Sequence, residues 1–138
     1  VGHMSDPLQV KVLPESARFT GFFSAEGAKS FYVSDSPESA QNIVNEMTPA
    51  DGFGNFQVPG VTAVRVGPGQ LAARSAIGSV KAHFTVSLAP DRKGSIVTEN
   101  FKAISPIPLL GSAGAVAVHS AFVSPEGAYK TVRARLQK

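Results

Sequence analysis

The chain has no cysteine. That excludes disulfide scaffolds, thiolate zinc sites, iron–sulfur centres and thiol nucleophiles together. Charged residues are scarce, 17% of the chain against a usual quarter or so. No run of 18 apolar residues occurs, so no segment reads as a membrane-spanning helix, and the membrane is set aside as a partner. The motifs of common chemistries are also missing. There is no HxH or HExxH pair, no Gly-x-Ser-x-Gly elbow, and no Gly-Lys-Ser/Thr phosphate loop. Gly67-Pro68-Gly69-Gln70 is the nearest lookalike to a phosphate loop, but Pro68 lacks one of the N–H groups such a loop would use. The ten carboxylates are scattered, and Glu38 and Glu46 lie more than two helical turns apart. No metal and no cofactor are expected.

What is present describes a globular domain. Hydrophobic residues make up 43% of 138, too many for a disordered chain of this charge. Thirteen glycines and ten prolines predict many turns and short segments. Residues 1–4, Val-Gly-His-Met, read as a tag and cloning remnant, and His3 is left aside with them. Residues 5–138 are expected to form one domain. Met-Ser-Asp-Pro carries no basic or apolar leader region, which points to the cytoplasm, or to a viral particle if the chain is a virion component.

Strict alternation in residues 8–13 predicts a half-buried strand. Residues 19–23 and 30–33 read as two further strands around an Ala25-Glu26-Gly27-Ala28 loop. Ser36, Pro37 and Glu38 form a helix start, followed by an apolar stripe at Ala40, Ile43, Val44 and Met47. Residues 50–60 read as a loop whose Phe53 and Phe56 plug the core. Residues 61–66 suit a strand, and residues 70–77 have the composition of a short helix. Residues 80–88 and 95–104 alternate around Pro90-Asp91-Arg92-Lys93-Gly94, which predicts an antiparallel hairpin. Residues 113–123 and 128–136 read as strands joined by a Ser124-Pro125-Glu126-Gly127 turn. The sum is an α+β fold: a mainly antiparallel sheet of about six to seven strands, with one or two helices packed on one face.

Charge is unevenly placed. Residues 1–51 carry three basic and seven acidic side chains; residues 52–138 carry ten basic and three acidic ones. Strand parity puts Lys81, His83, Lys102, Tyr129, Arg133 and Arg135 on the outer face of one sheet. Such a face suits the phosphates of nucleic acid or an acidic protein; solvation alone would also explain it. The leading expectation is a non-enzymatic structural or assembly module acting by protein–protein association, most simply a homodimer or larger self-association of opposite-signed halves. The edge expected to pair is residues 128–136. A nucleic-acid-binding domain using the basic face is the second reading. A small-ligand or enzyme domain around His83 and His119 is the third, and it requires both histidines to face one pocket.

Overall fold

The computed structural model describes residues 7–47, 61–67, 70–75 and 81–137, with side chains placed for 7–47 and from 85 onward except 118 and 122. Residues 1–4, the Phe53/Phe56 loop and the Pro68-Gly69 turn lie outside these residues.

The fold is α+β with an open antiparallel sheet. Its strands are β1 (Val10–Val12), β2 (Ser16–Gly21), β3 (Ser24–Val33), β4 (Val61–Gly67), β5 (Gln70–Ser75), β6 (Lys81–Asp91) and β7 (Gly94–Ile104). Five of them, in the order β3-β7-β6-β5-β4, make the body of the sheet. The short β1 and β2 both pair with β3, so together they act as one interrupted flanking strand. Pro14 lies in the interruption, where its missing N–H removes no ladder bond. The described residues include three helices: α1 (Pro37–Glu46), α2 (Leu110–Phe122) and α3 (Pro125–Leu136).

The hairpin β6–β7 is the longest pairing, running from Lys81↔Ile104 to Asp91↔Gly94. Its two-residue turn puts Arg92 at φ 55°, the left-handed conformation that tight hairpin turns impose. Alternation is clean on β7: Ser95, Val97, Glu99, Phe101 and Ala103 are buried, while Asn100, Lys102 and Ile104 are exposed. Phe31, Val33 and Val97 pack with Ala40, Ile43, Val44 and Met47 around α1 and with Ala128, Tyr129 and Val132 of α3.

Helix α1 follows its sequence signals. Ser36 Oγ accepts from the Ser39 N–H at 3.3 Å, and Pro37 opens the helix. Four other readings are corrected. Residues 25–28 are the middle of β3, and the turn lies earlier at Phe22-Phe23. Gly27 sits close under the neighbouring backbone: a Cβ would come within 3.3 Å of Ser16 O, with the His119 ring in ordinary contact at 3.6 Å. Residues 70–75 are a strand, because β4 and β6 supply ladders on both sides. Residues 113–122 fall in α2, and Val123 is its C-cap. Residues 128–136 fall in α3, because Ser124 is a helix cap; its Oγ accepts from Gly127 N–H at 3.2 Å.

Candidate functional site

The six residues of the expected basic face do not form one surface. His83 pairs with Lys102 across β6 and β7, and Lys81 pairs with Ile104, so these three share the exposed parity of the sheet. Tyr129, Arg133 and Arg135 are on α3 instead. Arg135 is exposed there, whereas Tyr129 is 0% and Arg133 7% accessible.

Tyr129 and Arg133 serve Asp35, at the junction of β3 and α1. One carboxylate oxygen, Oδ2, accepts from the Tyr129 hydroxyl at 2.5 Å and from Arg133 Nε at 2.9 Å. The other, Oδ1, accepts from Arg133 Nη2 at 3.0 Å. Ser95 Oγ donates to the Asp35 carbonyl at 3.1 Å. Burial, and secondarily the Asp35 carboxylate, push the Tyr129 hydroxyl far above the ordinary phenol range, so it stays a donor. The Tyr129 ring meets Phe31 edge-on, with centroids 5.7 Å apart. The trio therefore bolts α3 to the sheet.

A second buried pair anchors α2. His119 Nε2 lies 2.7 and 2.9 Å from the two Glu99 oxygens, and its ring stacks on Phe101 at 4.4 Å. Lys29 Nζ donates to the carbonyls of His119, Ser120 and Val123 at 3.1, 3.0 and 2.6 Å, capping the end of α2 where carbonyls lack helical partners. Ser120 Oγ donates to Glu15, and this bond together with Lys29 holds the Glu15 carboxyl below its usual range. His119 meets the buried parity of β7, while His83 occupies the exposed parity. By register, His83 thus holds the strand position opposite to the parity that His119 meets. Among the described residues, no three His, Asp or Glu side chains are grouped as metal ligands. No helix among them is long and apolar enough to cross a membrane.

The least expected arrangement is at one end of the molecule. Residues 105–112 form a corner between β7 and α2 in which the usual sorting is inverted. Ser105 and Ser112 are fully buried, while Ile107, Leu109 and Leu110 are exposed, Leu110 to 80%. The hydroxyls are used inside: Ser105 Oγ accepts from Ile107 N–H at 3.1 Å, and Ser112 Oγ donates to the Leu109 carbonyl at 3.2 Å. Gly111 closes the corner, since a Cβ there would fall 1.9 Å from Ser105 Oγ. The β2–β3 turn is tied to it. Leu109 N–H donates to the Phe22 carbonyl at 2.7 Å, and Ser105 N–H to the Phe23 carbonyl at 2.9 Å. Phe22 is 70% exposed, and Phe19 and Phe23 are each about half exposed. Leu109 holds φ 55° and ψ −58°, a conformation L-residues avoid, at a cost of about 1–3 kcal/mol.

No protein-family model and no curated protein matches the chain.

The apolar end therefore has to be read from its own chemistry. It holds Phe19, Phe22, Phe23, Ile107, Leu109 and Leu110, none of them charged. The three rings alone expose roughly 350 Å², taking about 200 Å² per ring, which is already the size of the largest apolar patch on an ordinary monomer. Sequence reading missed this end. Phe22 and Phe23 fit a strand equally well, and Ser105-Pro106-Ile107-Pro108 looked like a linker. The available signal was the density of large apolar residues in a Pro-broken stretch, where a solvent loop would be polar.

Proposed function

We propose that the chain is a non-enzymatic assembly module that joins copies of itself through this apolar end. The observation that carries the reading is the inverted corner, with serines inside and Ile107, Leu109 and Leu110 outside. Folding alone gains nothing from that sorting, since burying a large apolar side chain is worth about 1.5–3 kcal/mol and here it is forgone several times. Association recovers it. A group of large apolar and aromatic side chains without charge has the composition of a homodimer interface. The patch offers its own apolar surface to a second copy, as a two-fold contact requires.

The absence of cysteine gives a direct test, because a single introduced thiol is unique in each chain. Leu110→Cys treated with a short bis-maleimide should give a cross-linked dimer at low protein concentration. Lys130→Cys, exposed on α3, should stay monomeric under the same treatment. Equal yields from the two variants, or no dimer from either, would count against the apolar end as the contact.

A further inference from the structure

Beyond self-association, the exposed parity of the sheet carries a second surface. By register, Arg18, Glu26, Lys102 and His83 stand side by side on β2, β3, β7 and β6. The next rung toward the apolar end places Lys81 and Arg74 as neighbours on β6 and β5. The rung on the other side holds Ser16, Ala28, Asn100, Thr85 and Gln70. Three adjacent rungs thus hold four permanent cations and one histidine against a single carboxylate. That carboxylate, Glu26, is engaged by Arg18 at 3.2 Å. A groove of about 730 Å³ runs over the same place, with Arg18, Lys102, Asn100, Thr85 and the Arg18-paired Glu26 in its lining.

We infer that this groove binds the phosphate backbone of single-stranded nucleic acid. Charge selects a polyanion. From β2 to β5 the row crosses four strand spacings, roughly 19 Å, room for on the order of four phosphates of one strand. Asn100 and Thr85 in the lining offer hydrogen bonds to phosphate and sugar oxygens. The flat sheet projects no helix or ribbon into a duplex groove. Contact is with backbone phosphate and sugar, so recognition is independent of sequence.

The test is fluorescence anisotropy with a labelled single-stranded RNA of about 20 nucleotides, at about 50 to about 200 mM NaCl. The expected log–log salt slope is about −3, roughly fifty-fold weaker binding across that range. Arg18→Gln with Lys102→Gln should lower affinity about tenfold at low salt and flatten the slope by about 1.4. Lys93→Gln with Lys130→Gln, exposed elsewhere, should change neither by much. The same titration on a Phe22→Ser/Leu110→Ser variant reads RNA binding apart from self-association, so either can fail alone. Absence of saturable binding at low salt would overturn the inference. So would equal losses in the two glutamine pairs, or equally tight binding of a poly-glutamate peptide.

Discussion

Asp35→Ala should destabilise the protein by about 3–5 kcal/mol, the range for breaking a buried ion pair by removing one member. The reason is geometric. Asp35 accepts three side-chain hydrogen bonds, two from Arg133 and one from Tyr129, and all three groups are buried. Removing the carboxylate takes the shared acceptor away from a buried guanidinium and a buried phenol between α1, α3 and β3. Against a total stability of about 5–15 kcal/mol for a domain, this places the variant near unfolding. Tyr129→Phe removes one donor and keeps the ring against Phe31, so about 1 kcal/mol is expected. The informative comparison is Asp35→Leu with Arg133→Met. Removing both charges leaves neither member of the pair behind, so the double change should cost less than Asp35→Ala alone. Urea unfolding midpoints read all three. A double variant that loses as much as the two single changes added together would show that Asp35 and Arg133 do not act as a pair.

His119→Ala should come close behind, at about 3–5 kcal/mol. It removes the partner of the buried Glu99 carboxylate and the ring stacked on Phe101. It also opens space beside Gly27, over which the imidazole lies. Glu99→Gln keeps an acceptor for the ring and should cost much less, about 1 kcal/mol. The loss should be local before it is global. Helix α2 hangs on this pair and on the Lys29 cap, whereas α1 and α3 share the Asp35 bolt. Hydrogen exchange in His119→Ala should therefore rise first in residues 110–122. Uniform loss of protection across all three helices would contradict this division.

Two stretches show how far the sequence carried the fold. Ser36-Pro37-Glu38 and Ser124-Pro125-Glu126 are the same three residues, and both start helices. The first was legible because its stripe, Ala40, Ile43, Val44 and Met47, is wholly apolar. The second was read as a turn into a strand because Val132, Ala134 and Leu136 alternate, and Gly127 suits a turn. The true buried stripe is Ala128, Tyr129, Val132 and Arg133, a helical spacing disguised by an arginine. Arg133 is inside with Asp35, 98 residues away, as a partner, and no local pattern encodes that. The hairpin β6–β7 was legible, since alternation over residues 80–88 and 95–104 around a turn has no helical counterpart. Strand β5 was not: its leucine and alanines favour a helix locally, and pairing on both edges overrides them.

The surfaces followed the same division. Lys81, His83 and Lys102 were placed together by parity, and the register keeps them together. Arg18 and Arg74 join them only through strand pairing that the sequence does not reveal. The apolar end was hidden for a different reason. Its residues come from two corners brought together by backbone hydrogen bonds from Leu109 to Phe22 and from Ser105 to Phe23.

Light-scattering mass across a concentration series, for the unmodified protein and for Phe22→Ser/Leu110→Ser, tests the assembly reading most directly. The chain mass is 14.4 kDa. The expected result is a discrete species of at least twice that mass for the unmodified protein, with the variant folded and at the single-chain mass. An unmodified protein that stays at 14.4 kDa at every concentration would contradict it.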